Sequence, residues 1–192
     1  VVNDYLKEGI AHTLDETRNL SDSGQFEDIS LQQGIRQILY PYEEMEVLNP
    51  EWEVILKDII DSLFEQMSDE EYNILNEEFG TYMVSRAYEY RQLLEYLVFR
   101  YFAKSIYDYD FLGKCQMLVT NFFVIRQMDI IRWLDNHREY SFKDRMDVVH
   151  IFSRQVEYSE DNIENLYEDF IFDDIFKTDS LIAILWIDSE NI

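Results

Sequence analysis

The chain has 192 residues, of which 47% are hydrophobic, and its formal net charge is −24. Disordered acidic chains are poor in aromatic residues, so 13 Phe and 14 Tyr exclude disorder and predict a buried core. Five Gly and two Pro are too few for the many turns of a β-sandwich or barrel. The acidic excess lies in residues 1–85 and 155–192, and it argues against nucleic acid and anionic membranes as partners.

We therefore predict an all-α fold, an irregular bundle of about seven to eight helices around a long central antiparallel pair. The first predicted helix runs from about Asn3 to Leu20, and the second passes through Ile29 and ends before Pro41. The next two run from Asn49-Pro50 to Phe64 and from Ser68 to Phe79, where Gly80 is the C-terminal cap. The remaining predicted helices are Tyr82 to Tyr107, Leu112 to Leu134, Ser141 to Phe152, and Ser159 through Ile171.

The central pair consists of the segments Tyr82–Tyr107 and Leu112–Leu134, which carry apolar residues on most sides. Their short connection predicts antiparallel packing. The last apolar segment, residues 180–187, is read as a docked terminal helix in preference to a lone strand. A possible seam near residues 41–50 is interpreted as a loop inside a single helical domain, residues 1–192.

Residues that could hold a metal are sparse. The single cysteine, Cys115, excludes a Cys-based zinc or iron–sulfur site within this chain. His12, His137 and His150 lie far apart, and no nucleotide-binding loop is present. The pattern therefore predicts no metal site here, and it identifies no catalytic or cofactor-binding residue. No apolar run is long enough for a membrane span.

Three charges stand out within the second central helix. Arg126, Asp129 and Arg132 are three residues apart, so they share one helix face. A buried charge is costly unless it is paired. This polar strip therefore either pairs internally or faces a groove for a ligand or partner. A ligand-sensing bundle would need a cavity beside Arg126 and Arg132.

Two segments carry a family resemblance. The aromatic stretch Leu94–Phe102 and the block Ser153–Asn162 resemble the C-terminal region of bacterial flagellin lysine-N-methylases, the FliB-like family. The helix start at Asn49-Pro50 is also similar, and the resemblance spans about three quarters of the chain. The block Ser153–Asn162 is the most specific part. In it Arg154, Glu157 and Asn162 match the family, whereas Tyr158 stands where the family commonly has His.

The resemblance implies methyl transfer from S-adenosylmethionine to lysines of flagellin in the cytoplasm. It also implies a Cys-bound metal or iron–sulfur centre near the N-terminus of the parent protein. We expect this chain to be a C-terminal part of a longer protein, with no cofactor of its own and inactive when isolated. Its acidic surface suits substrate binding. The alternative is a non-enzymatic helical domain that binds a protein partner.

Overall fold

The computed structural model describes residues 30–190, with side chains to residue 185, so the helix predicted over Asn3–Leu20 lies outside the described residues. Across the described part the protein is all-α without strands, as predicted. The α-helices are α1 (Leu31–Glu43), α2 (Pro50–Ile59), α3 (Asp69–Met83), α4 (Ala87–Phe102), α5 (Ser105–Asp108), α6 (Phe111–Asp135), α7 (Phe142–Phe152), α8 (Glu160–Phe172) and α9 (Thr178–Glu190). When consecutive helical segments that continue without a break are counted as one, residues 30–190 form seven helices, against about seven to eight predicted for the whole chain.

The predicted helix starts are confirmed by their caps. Asn49 accepts a hydrogen bond from the backbone of Glu51 at the start of α2, and Ser159 accepts one from Asn162 at the start of α8. Ser68 and Ser141 each form a reciprocal capping box with the acid three residues on. Short polar side chains before apolar runs therefore position these four helices as expected.

Two predicted helix ends are wrong. The segment that starts at Ser68 continues past Gly80 to Met83, because Phe79 and Met83, one turn apart, are both buried in the core. A 3₁₀ turn at Val84–Arg86 then leads into α4, so residues 69–108 form one bent helix of 40 residues. A helix that ended at Gly80 would not include Met83, which is buried one turn after Phe79.

Pro41 lies inside α1 instead of after it. It stands in the last turn, where its missing backbone N–H costs the helix one hydrogen bond. The continued helix also buries Tyr42, whose hydroxyl donates to Asn121 Oδ1 at 2.7 Å. This buried contact outweighs the local preference of proline to end a helix.

The central antiparallel pair is confirmed as α4 and α6. Asn121 lies 3.2 Å from the Tyr101 hydroxyl, and the Tyr90 hydroxyl donates to Asp129 at 2.7 Å, so positions rise along one helix as they fall along the other. α6 is buried on most sides and also contacts α1, α2, α7 and α8. It is therefore the helix around which the described elements pack.

The C-terminal helices close one side of the bundle. In α8, Leu166 and Phe170 are buried, whereas Ile171 is 75% exposed. Phe170 faces the core, and Ile171, the next residue, is rotated from it by about 100° around the helix axis. The last apolar segment forms helix α9, as favoured from the sequence. Within residues 30–190 no helix is both long and apolar enough to cross a membrane.

Candidate functional site

The block Ser153–Asn162 starts on a π-helical turn, Ser153–Glu157, that extends α7. Its Gln155 is fully buried and holds the loop between α1 and α2. Gln155 Oε1 accepts from the backbone of Leu48 at 2.9 Å and of Asn49 at 3.2 Å, while Nε2 donates to the Glu46 carbonyl at 2.7 Å. The polar block therefore fixes the loop in which the sequence suggested a seam.

Asn162 holds the same loop from the start of α8. Its Oδ1 accepts from the Glu46 backbone at 3.1 Å, and its Nδ2 donates to the Glu46 carbonyl at 3.1 Å and to the Gln155 carbonyl at 3.0 Å. The side chain is fully buried. Both N–H donors and one of the two oxygen lone pairs of this amide are thus directed at backbone, which is the pattern of a structural clamp.

Glu157 and Arg154, the other two matching residues of the block, have different surroundings. Glu157 is buried, and its carboxylate accepts from Tyr96 at 2.8 Å, from Ser153 at 2.7 Å and from Tyr101 at 3.3 Å. Burial and the bond to Glu157 raise the pKa of Tyr96 to about 12, so this hydroxyl stays a donor. Arg154 is exposed. The structure therefore brings Glu157 into an α4–α7 contact but leaves Arg154 at the surface.

The polar strip on α6 contains one deeply buried carboxylate. Asp129 is 0% exposed, pairs with the Arg145 guanidinium, and accepts from the hydroxyls of Tyr90 and Tyr140. Arg145 also lies 3.4 Å from Glu89. Burial raises the pKa of the Asp129 carboxyl, while Arg145 and the two hydroxyls act in the opposite direction. The arrangement ties α4, α6 and α7 together.

Arg126 and Arg132 lie apart from that cluster. Arg126 is buried, and its Nη2 is 3.3 Å from Asn76 Oδ1. Arg132 is half-buried and lines a cleft between α2 and α7 with a volume of about 430 Å³. The remaining residues of this cleft are Glu51, Val54, Ile55, Asp147, His150 and Ile151. The cavity expected for a ligand-sensing bundle therefore lies beside Arg132 and does not include Arg126.

A smaller cleft lies between the end of α1 and helix α8, with a volume of about 180 Å³. It is lined by Pro41, Glu44, Met45, Asn162, Asn165, Leu166, Glu168 and Asp169. Three of these residues are acidic, and Pro41, Met45 and Leu166 give it apolar walls. We call it the acidic cleft. Asn162, the clamp of the neighbouring loop, forms part of its wall.

Within the described part of the chain, no basic side chain pairs with the acids of the acidic cleft. No lysine, arginine or histidine within residues 30–190 forms an ion pair with Glu44, Glu168 or Asp169. These acids lie near the C-terminal ends of α1 and α8, which are the negative ends of the helix dipoles. Neither helix has a basic residue in its last turn that would offset this charge. Burial raises the pKa of Asp169, and the carboxylates of Asp173, Glu44 and Glu168 raise it further. The cleft therefore favours a cation.

The sequence pattern missed this grouping. Its three acids, Glu44, Glu168 and Asp169, are visible in the sequence, but no pattern in the sequence brings them together. Cations are normally favoured in the last turn of a helix, and the last turns of α1 and α8 have none. This departure could have indicated an acidic site at both helix ends. Which two helix ends meet depends on the tertiary fold.

The described residues do not fit a Cys-bound metal centre. Cys115 is the one cysteine, and burial raises the pKa of its thiol, which disfavours the thiolate that a metal needs. Among the side chains of the described part, no three His, Cys, Asp or Glu residues come together as a metal-binding group. No step is assigned to such a centre in this chain.

Comparison with known proteins gives a match to a family model. The model of the family described as FliB lysine N-methylase C-terminal domain matches residues 1–184. Neither the curated proteins nor the solved structures that were searched give a match. The matched range contains all three of Arg154, Glu157 and Asn162, and it contains the acidic cleft.

Proposed function

The chain belongs to the FliB lysine N-methylase C-terminal domain family, and from this premise we propose that it binds flagellin through the acidic cleft. In this proposal the domain positions the substrate in the cytoplasm, and the methyl donor is held by another part of the methylase. The observation that carries the proposal is the group of acids Glu44, Glu168 and Asp169 beside an apolar wall, which has no ion-pair partner among residues 30–185.

A lysine side chain matches the acidic cleft in shape and charge. Its four methylene groups would pack on Pro41, Met45 and Leu166, and its ammonium group would meet the carboxylates. The gain is largest where the carboxylates have no other cation to pair with. Binding would also relieve the mutual repulsion that raises the pKa of Asp169.

The same electrostatics separate docking from methylation. An amine must be neutral to attack a methyl group, but neighbouring carboxylates stabilise the ammonium form and raise the lysine pKa. A lysine bound in the acidic cleft would therefore be held in its unreactive form. We infer that the cleft binds a basic residue near the modified lysine and leaves the reacting amine to another site.

The acidic cleft does not fit S-adenosylmethionine. Its volume of about 180 Å³ is below the range of roughly 300–1,000 Å³ found for small-molecule pockets. The methyl donor carries a net positive charge, so the size of the cleft, and not its charge, supports a division of labour in which this domain contacts protein substrate.

Isothermal titration calorimetry tests this division of labour directly. The isolated domain is titrated in one experiment with flagellin and in a second with S-adenosylmethionine. We expect heat of binding with flagellin that weakens as salt is raised, and none with the methyl donor. Tight binding of S-adenosylmethionine to this domain alone would contradict the proposal, and so would the absence of any flagellin binding.

A further inference from the structure

The end of the central helix pair exposes a set of large apolar side chains. They come from the last turn of α4, from α5 and from the first turn of α6: Phe99, Ile106, Tyr107, Tyr109, Phe111 and Leu112. Each is more than half exposed, and Phe99, Tyr107 and Tyr109 exceed 80%. We call these six residues the aromatic patch. Five of the six lie within residues 106–112, and the rings of Phe102 and Phe111, 5.2 Å apart, join α4 to α6 at this end, so large exposed apolar side chains concentrate here as they do at interaction sites.

The loop between α5 and α6, which carries part of the aromatic patch, is held in place by a buried lysine. Lys114 is buried, with its Nζ 2.9 Å from Asp108, 3.5 Å from Asp110 and 4.3 Å above the ring of Tyr167 on α8. These contacts anchor both acids that flank Tyr109. The patch is therefore tied through one cation to α6 and to α8.

The backbone of this loop adopts a conformation that costs energy. Tyr109 has a φ of 59°, in the left-handed region that residues with a side chain disfavour. Asp110 then accepts from the backbone of Gly113 at 2.9 Å, and a Cβ on Gly113 would lie only 2.2 Å from the Asp110 carboxylate. A strained, braced loop that displays aromatic rings to solvent is preorganised for a partner.

Charge argues against two of the possible occupants. The half-buried Arg100 and the exposed Lys104 adjoin the patch, and Lys114 offsets its two neighbouring acids, so the patch has no acidic excess. A lysine-bearing segment of flagellin would be drawn instead to the acidic cleft, if the proposed function holds. A second copy of a chain with a net charge of −24 would be repelled.

We infer that the aromatic patch is the surface on which the rest of the methylase polypeptide packs against this domain. The family match identifies the chain as one domain of a methylase, so a further part of the same polypeptide is the available partner. Domain interfaces within a chain bury roughly 600–1,500 Å², and six large side chains supply a contribution of that order. The occupant has an apolar surface flanked by acidic or neutral residues, which Arg100 and Lys104 complement.

Hydroxyl-radical footprinting tests this inference, because it reports the exposure of individual aromatic side chains. Oxidation of Phe99, Tyr107 and Tyr109 is measured in the isolated domain and in the complete methylase, each with and without flagellin. Phe142 and Phe172, exposed on α7 and α8, serve as internal controls. We expect oxidation of the patch to fall at least several-fold in the complete methylase without flagellin, with the controls unchanged.

Three results would overturn the inference. Equal oxidation of the patch in the isolated domain and in the complete methylase would show that no other part of the polypeptide covers it. Protection that appears only when flagellin is added would assign the patch to substrate. Protection in the isolated domain that grows with its own concentration would assign it to a second copy. A failure of the acidic cleft to bind flagellin would leave the comparison without flagellin unaffected.

Discussion

Asn162 holds the backbone of Glu46 from both sides, since its amide oxygen accepts from the Glu46 N–H and its amide nitrogen donates to the Glu46 carbonyl, each at 3.1 Å. This pairing joins the start of α8 to the loop that follows α1. It thereby fixes the two walls of the acidic cleft relative to each other. A residue picked out by family resemblance thus shapes the cleft without needing to contact a substrate.

Replacing Asn162 with Ala tests this clamp. The Asn162→Ala variant leaves the N–H and carbonyl of Glu46 without their side-chain partner, so we expect a loss of about 1–3 kcal/mol in the free energy of unfolding. Urea denaturation measures this loss. Asn165→Ala, at an exposed position of the same cleft, serves as the control and should change stability by less than about 0.5 kcal/mol. Equal effects of the two variants would contradict a clamp at Asn162.

The buried pair of Asp129 and Arg145 gives a larger expected effect. Asp129→Asn removes the nearer of the two carboxylates that compensate the buried Arg145 guanidinium, and we expect a loss of about 3–5 kcal/mol. Thermal or urea denaturation checks it. The exposed pair Arg91–Glu95, 3.9 Å apart, provides the control, because Arg91→Gln should cost less than about 1 kcal/mol. A small effect of Asp129→Asn would mean that the cluster does not hold α4, α6 and α7 together.

The pKa of Asp169 gives a prediction about pH. Its pKa is raised in the folded state, so between the unfolded and folded pKa values the folded protein binds more protons, and stability falls as pH rises through that window. Asp169→Asn removes the titrating carboxyl, and with it this fall in stability. We expect the variant to be more stable than the parent at pH 7, by less than about 1 kcal/mol because the carboxyl is only half-buried.

Below the ordinary Asp pKa of about 3.9 this difference should disappear, because the carboxyl is then neutral in both states. Urea denaturation at neutral and at acidic pH measures it. Glu164→Gln, which removes an exposed acid from the same helix, is the control and should show a smaller gain. If Asp169→Asn instead destabilises the protein at pH 7, the carboxylates of the acidic cleft are not in mutual repulsion.

Lys114 underlies the aromatic patch, and its removal should loosen the loop. Lys114→Met keeps the aliphatic stem but loses the ion pairs to Asp108 and Asp110 and the contact with the Tyr167 ring. We expect the melting temperature to fall by a few degrees, together with faster amide exchange at Tyr109. Lys104→Met, at an exposed lysine nearby, should change neither quantity. Unchanged exchange at Tyr109 in Lys114→Met would show that the loop is rigid without this contact.

The helix starts and the central pair were predictable because their causes are local. Asn49, Ser68, Ser141 and Ser159 cap helices through side chains that reach backbone two or three residues ahead, so spacing alone reveals them. The pairing of α4 with α6 follows from a short connection. Helix ends at Pro41 and Gly80 were misjudged because burial of neighbouring side chains outweighed the local signals.

The sites depended on contacts between residues far apart in the sequence. Asp129 could be recognised as a charge on an apolar helix, but its partners Arg145 and Tyr90 lie 16 and 39 residues away. The acidic cleft likewise joins Glu44 to Asp169, and no periodic pattern links them. Residue type therefore indicated that a charge needed a partner, while the packing of the helices determined which partner it obtained.

The most direct test of the proposed function compares two triple variants that remove the same charge from different surfaces. One is Glu44→Gln with Glu168→Gln and Asp169→Asn, which neutralises the acidic cleft. The other is Glu53→Gln with Asp58→Asn and Glu65→Gln, at exposed acids of α2 and the turn after it. The Kd of the complete methylase for flagellin is measured at low salt. We predict an increase on the order of tenfold for the cleft variant, about 1.4 kcal/mol, and less than about twofold for the control. Equal weakening by both variants, or none by the cleft variant, would contradict docking in the acidic cleft.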